Sequence, residues 1–275
     1  MSDHTAYLQD NLPFIQLVYS SLAPEIPGVN YVSTRLADID PSWQIEETIR
    51  ETDTNRPHIY TGQYRFGRHL IQVTANPNPI PSPIIDQTVL VSHWQPQIKA
   101  ALRHHQSHLT LTYLEGSTDP VDRMTALYGL THGLDHENLL GVVNPPAWTA
   151  HPKADFLIPE KIQSFNESIP FLLWIGYVKF FIDKINYWLV TKGHHLFDVP
   201  DLAYRMKPDD DAQAVMDTFI NLFYFLYEQD ATVTAGDTAQ IKGIGQTYHF
   251  LEVTELTNLL MGPAGTLVIE KTDSI

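Results

Sequence analysis

The sequence predicts an α+β fold of mixed sheets with packed helices, and three observations carry that expectation. Residues 60–75 hold two β-rich runs on either side of Gly67 and Arg68, the spacing of a hairpin with a two-residue turn. Residues 108–143 read in the order strand, helix, short strand, the order of a right-handed crossover between parallel strands. Three acids, Asp209 to Asp211, stand just before a long run with apolar residues at helical spacing, where they suit the positive end of a helix dipole. At 275 residues the chain is long enough for one sizeable α+β domain or two smaller ones, since typical domains hold about 100 to 200 residues.

Taken in order, Phe14–Ser21 (FIQLVYSS) reads as a first strand, closed by the proline-rich loop from Ala23 to Gly28. Asp40, Pro41 and Ser42 look like a helix start, with Pro41 at the first helical position, and predict a short helix to about Glu51. The hairpin strands are Tyr60–Phe66 and His69–Ala75. The loop NPNPIPSP at 76–83 can continue neither of them, because proline removes backbone donors and fixes φ. Ile84–Trp94 and Gln97–His105 place apolar residues at helical spacing, with Pro96 as a kink or a fresh N-terminus.

His108–Leu114 switches to period two, with Leu109, Leu111 and Tyr113 on one face. Thr118, Asp119 and Pro120 open a helix to about Leu134, and Leu139–Val143 is a short buried strand. Phe171–Val190 is the densest aromatic and β-branched run. It reads as central sheet, two strands meeting at Asp183 and Lys184; as a helix it would gather Gly176, Lys179, Asp183 and Asn186 into one polar stripe. A helix from the three aspartates to about Gln229 follows, then strands or fragments at 240–243, 247–253 and 266–270. The order hairpin, turn, long helix, strand occurs twice, which raises the expectation of structurally similar halves, 1–157 and 158–275.

Composition narrows the function classes. With 17 Lys and Arg against 32 Asp and Glu the net charge is -15, a field that repels nucleic-acid backbones and anionic membrane surfaces and suits a basic protein partner. The chain has no cysteine, so thiolate catalysis, iron-sulfur clusters and cysteine zinc sites are excluded. The first ten residues lack the apolar core of a signal peptide, and Lys179, Asp183 and Lys184 interrupt the one run of membrane-spanning length; the expectation is a cytoplasmic protein.

Thirteen histidines invite a metal reading. His104, His105 and His108 form H-H-x-x-H, yet the strand pattern begins at His108, so the three do not share a helical face. His132 and His136 sit where a helix ends, a favourable place for histidine with no ligand at all. No metal and no cofactor are therefore expected. Ser92 beside His93 lacks a nucleophile elbow, and Gly243, Ile244 and Gly245 make only half of a dinucleotide fingerprint. His194 and His195 follow Gly193 in what reads as a solvated turn, from which the pair could contact a ligand or partner, and Gly236, Asp237 and Thr238 read as an ordinary aspartate turn that could also bind a cation.

The stretch from Thr191 to Leu202 carries a family resemblance. Thr191, Gly193, Leu196, Phe197, Pro200, Asp201 and Leu202, with the later Gly236, Asp237 and Thr238, resemble the C-terminal pattern of the bacterial domain-of-unknown-function family four-two-six-one. The likeness is firmest from about Pro170 onward. Asp198 stands where that family usually has glycine, and Ala203 where it has an acid. The resemblance implies fold and bacterial origin, and no activity.

The leading expectation is a non-catalytic protein-interaction module with an accessory or immunity-like role. The alternative is a hydrolase with a histidine and carboxylates near the Gly193–Asp201 turn. Either way the residues to follow are Thr191, Gly193, His194, His195, Asp198, Asp201, Asp237 and Thr238.

Overall fold

The computed structural model describes residues 12–52, 60–240 and 246–272, which form two compact units. The first comprises the chain up to Pro145 and Ala150–Pro170; the second comprises Pro146–Thr149 and the chain from Phe171 onward. Both units are built around a sheet, and the fold is α+β.

The first unit contains β1 (Phe14–Tyr19), α1 (Val29–Ala37), β2 (Ile45–Thr52), β3 (Tyr60–Phe66), β4 (His69–Asn76), α2 (Ser82–Val89), α3 (Pro96–Arg103) and β5 (Ser107–Glu115). It continues through α4 (Pro120–Gly133), β6 (Leu139–Asn144), β7 (Thr149–Pro152), α5 (Lys153–Phe156) and α6 (Pro159–Gln163). Seven strands lie in the order β2-β3-β4-β5-β1-β6-β7. The expected hairpin is β3–β4, with Phe66 opposite His69, and Pro96 is a fresh helix start. The strands β5 and β6 are parallel as expected, because both pair antiparallel with β1, but β1 lies between them. Five of its six residues are buried, including Ile15, Leu17 and Val18.

The helix expected after Ser42 is a strand, β2. Asp40 does cap, its carboxylate accepting from the backbone N–H (2.8 Å) and hydroxyl (2.7 Å) of Ser42. The same local bonds serve a turn as well as a helix. What decides is non-local: β2 pairs with β3 from Ile45 opposite Phe66 to Thr52 opposite Tyr60.

The sequence-based boundary at 157/158 falls inside the first unit. α5, α6 and the turn after them stay with α4 because Phe156 and Phe165 both meet Tyr128 edge-on, at 5.6 and 6.0 Å.

The second unit contains α7 (Phe171–Trp174), β8 (Gly176–Phe181), β9 (Tyr187–Lys192), β10 (Asp201–Met206), α8 (Ala212–Glu228), β11 (Thr238–Gln240), β12 (Thr247–Glu252), α9 (Thr257–Leu260) and β13 (Thr266–Thr272). The strand order is β11-β12-β13-β10-β9-β8, with β10 and β13 parallel. Of the strand expected at 240–243, residues 241–243 lie outside the described residues. α8 begins where the three aspartates predict, its cap Asp211 accepting from Gln213 N at 2.9 Å. Its Val215, Phe219 and Leu222 pack on Leu189, Leu202, Tyr204, Met206 and Phe250 of the sheet. On the other face Trp188, Val190, Ala203 and Val268 gather around Leu260 of α9.

Phe171–Val190 is a hairpin, but it is not central sheet. Its first four residues are the helical turn α7, and β8 ends the strand order. The central places go to β10 and β13, which carry Ala203 and Val268 against Leu260. Among the described residues no helix is long and apolar enough to cross a membrane.

Candidate functional site

The connection from β9 to β10 is built on glycine geometry. Gly193 has φ +113°, and a Cβ there would lie 2.7 Å from Ala147 Cβ and 3.0 Å from the Trp174 carbonyl oxygen. A 3-10 turn, His194–Phe197, follows, ending at Asp198 with φ +59°. Aspartate tolerates that left-handed conformation better than most residues.

Far from being solvated, the turn folds its polar groups inward. Thr191, His194 and Asp201 are each fully buried. Asp201 Oδ1 accepts from His194 N at 3.2 Å and from the Thr191 hydroxyl at 3.4 Å. Thr191 Oγ1 in turn accepts from Leu202 N at 2.8 Å, and His194 Nδ1 donates to the Pro200 carbonyl at 3.0 Å. The His194 ring packs 5.0 Å from Phe223 of α8. That contact lies outside the local sequence, and it turns an apparent surface histidine into a core one.

Lys192, which sequence reading passed over, completes the cluster. It is 3% exposed; its ammonium donates to the carbonyls of Leu260 (2.8 Å) and Met261 (3.2 Å) and lies 5.2 Å from the Trp148 ring centroid. A lone lysine closing an apolar strand was the available signal. Burial lowers its pKa, and the Asp201 charge acts the other way. Burial raises Asp201 to about 7 against the pull of Lys192 and the hydrogen bonds to Oδ1. Burial holds His194 at about 4, and burial followed by the Lys192 charge holds His195 there too.

Thr191, Gly193, His194, Asp201 and Lys192 are thus drawn together. Asp198 is exposed at the rim, beside the half-buried His195, on which its charge acts. Asp237 and Thr238 are not part of the cluster, since β12 and β13 separate β11 from β10. Asp237 is solvated and accepts from Thr234 N (2.7 Å) and Oγ1 (3.0 Å), bonds that hold its carboxyl below the usual range. A hydrolase site at this turn needs a concave pocket joining a histidine to an acid. His194 and Asp201 do meet with displaced titrations, but neither side chain is open to solvent. A cleft of about 130 Å³ lies elsewhere, lined by Tyr204, Thr218, Tyr248 and Lys271 among others, and is small beside the roughly 300 Å³ at which ligand pockets begin.

The remaining histidines of interest serve the backbone. Ile80 N donates to His105 Nε2 (2.7 Å), His105 Nδ1 donates to Leu102 O (2.8 Å), and His108 Nδ1 donates to Asn78 O (2.8 Å). Among the described residues no three His, Asp or Glu side chains converge so as to hold a metal ion.

At the opposite end of β9 the hairpin turn reverses this pattern. Phe181, Ile182 and Ile185 are 66%, 39% and 63% exposed. The turn beneath them is rigidly bonded: Asp183 accepts from Ile185 N (2.8 Å), Asn186 N (2.8 Å) and Asn186 Nδ2 (2.7 Å), and Ile182 N donates to Asn186 O (2.9 Å). Hydrogen bonds from Asn186 and Ile185 hold the Asp183 carboxyl at about 2. No protein-family model, no curated protein and no solved structure matches the chain.

Proposed function

We propose that this protein is a non-catalytic interaction module of the bacterial cytoplasm, kin to family four-two-six-one. It binds a basic protein partner through the tip of the β8–β9 hairpin, in an accessory or immunity-like role. The observation that carries this reading is the set of three large apolar side chains, Phe181, Ile182 and Ile185, within five residues of one rigid turn. Single exposed hydrophobics are ordinary on protein surfaces; a cluster of them marks a contact site. Preorganisation adds to it, because the bonds to Asp183 fix the turn before binding and reduce the ordering cost of association. The net charge of -15 favours a partner whose contact rim is basic.

The test compares wild type with the double variant Phe181→Ser/Ile185→Ser as bait in native host extract, followed by titration of the retained protein. The expected result is a basic partner whose affinity falls at least about tenfold in the variant, while the unfolding midpoint of the bait stays unchanged. Equal retention by both baits, or a partner indifferent to salt, would overturn the reading.

A further inference from the structure

A second group of residues, in the first unit, is unrelated to the hairpin. His151 lies on β7, Asp155 one helical turn later on α5, and His93 in the loop between α2 and α3, 58 residues before His151 by number. His151 is 3% exposed, and its Nδ1 donates to Asp155 Oδ2 at 3.1 Å. That bond fixes the tautomer and leaves Nε2 as the nitrogen with the free electron pair. The exposed His93 ring lies 6.3 Å from the His151 ring, centroid to centroid.

Trp94 fixes their relative placement. Its indole nitrogen donates to the Ala150 carbonyl at 2.7 Å, tying the loop that carries His93 to the strand that carries His151. Its ring lies 4.3 Å from His93 and 5.7 Å from His151.

We propose that His93 and His151 form an open two-imidazole site for a borderline divalent transition ion, Zn2+, Ni2+ or Cu2+, with Asp155 as the carboxylate that orients His151. Imidazole suits these ions, and a carboxylate on the far nitrogen of a ligating histidine is the usual second partner. With metal–nitrogen bonds of about 2.1 Å, two imidazoles on one ion have ring centroids roughly 5.3 Å apart at a tetrahedral angle and roughly 6.5 Å apart when trans; the 6.3 Å found here lies near the trans end, so a tetrahedral Zn2+ draws the exposed His93 ring inward by about 1 Å. Asp155 faces the Nδ1 edge of His151, so it orients and does not ligate; the remaining coordination positions belong to water or an exogenous donor. The nearby Lys99 ammonium is engaged with the Leu90 carbonyl at 2.8 Å.

The test is calorimetric titration of the metal-stripped full chain with Zn2+, paired with Ni2+ quenching of tryptophan fluorescence. Expected are one ion per chain, quenching lost in Trp94→Phe, and about 10- to 100-fold weaker binding in Asp155→Asn. His93→Ala should lose the site outright while its far-ultraviolet spectrum and unfolding midpoint stay those of wild type, since His93 is exposed. His104→Ala, an exposed histidine outside the group, should bind as wild type does. Unchanged affinity in His93→Ala, or no binding by wild type, would overturn the proposal.

Discussion

The two ends of β9 invert the usual distribution of side chains. At Lys192 the strand runs into a cluster of charged and polar groups with almost no exposure; at Tyr187 it emerges from a turn whose apolar side chains stand in solvent. Each end is costly in isolation, since buried charge loses hydration and exposed apolar surface is left in water. The difference teaches what each end is for. The buried end is bonded mostly to backbone groups, those of the connection itself and the carbonyls of Leu260 and Met261, which specifies one geometry for the β9–β10 connection. The exposed end is bonded only beneath its apolar side chains, which leaves them free for another molecule.

The largest break in this comparison comes from Gly193→Ala. The left-handed backbone and the overlap with Ala147 together should cost about 3 kcal/mol or more, read as a lowered urea midpoint, with hairpin-tip contacts affected only through unfolding.

Next comes Asp201→Asn, which sharpens the comparison through pH. The folded pKa of Asp201 is raised to about 7 from 3.8, so its contribution to stability is full below about pH 4 and is lost as pH rises through 7. His194 is lowered to about 4, so its contribution is present above pH 6.5 and is lost as pH falls through 4. The two slopes oppose one another between pH 4 and 6.5. Removing the Asp201 slope unmasks that of His194, so the variant should gain stability as pH rises through this window. Relative to wild type it should lose about 2 to 3 kcal/mol more at pH 5 than at pH 8, as urea titrations at the two pH values would measure.

The smallest effect belongs to the exposed end. Asp183→Ala removes three hydrogen bonds from the turn and leaves Phe181 and Ile185 in place. Partner binding should weaken by less than in the Phe181→Ser/Ile185→Ser variant, mainly through a slower association rate by surface plasmon resonance. A loss as large as that of the double variant would mean that the turn itself is the contact.

Legibility in the sequence followed the range of the deciding interactions. The β3–β4 hairpin and α8 were readable because Gly67 with Arg68, and Asp211 as a cap, act over a few residues. β2 was not, because Asp40 bonds Ser42 alike in a turn or a helix start and pairing with Tyr60–Phe66 decides. The Thr191–Leu202 turn stood out by resemblance, whereas the burial of His194 depends on Phe223 and that of Lys192 on the carbonyls of Leu260 and Met261. His93 and His151 had no shared signal, because the loop and strand that carry them meet only in the folded sheet. The exposed tip was hidden in plain view: an apolar run reads as core until its place at the end of the strand order is known.

The position of β1 between β5 and β6 has a consequence for the nascent chain. Gln16 on β1 bonds Thr110 on β5, 94 residues later, and also pairs with Val143 on β6. At a synthesis rate of about 5 to 20 residues per second, β1 waits roughly 5 to 20 seconds for its first neighbour. Throughout that interval Ile15, Leu17, Val18 and Tyr19 leave the ribosome with nothing to pair against. The strand that ends as one of the best protected in the first unit is, during translation, a natural client for a ribosome-associated chaperone.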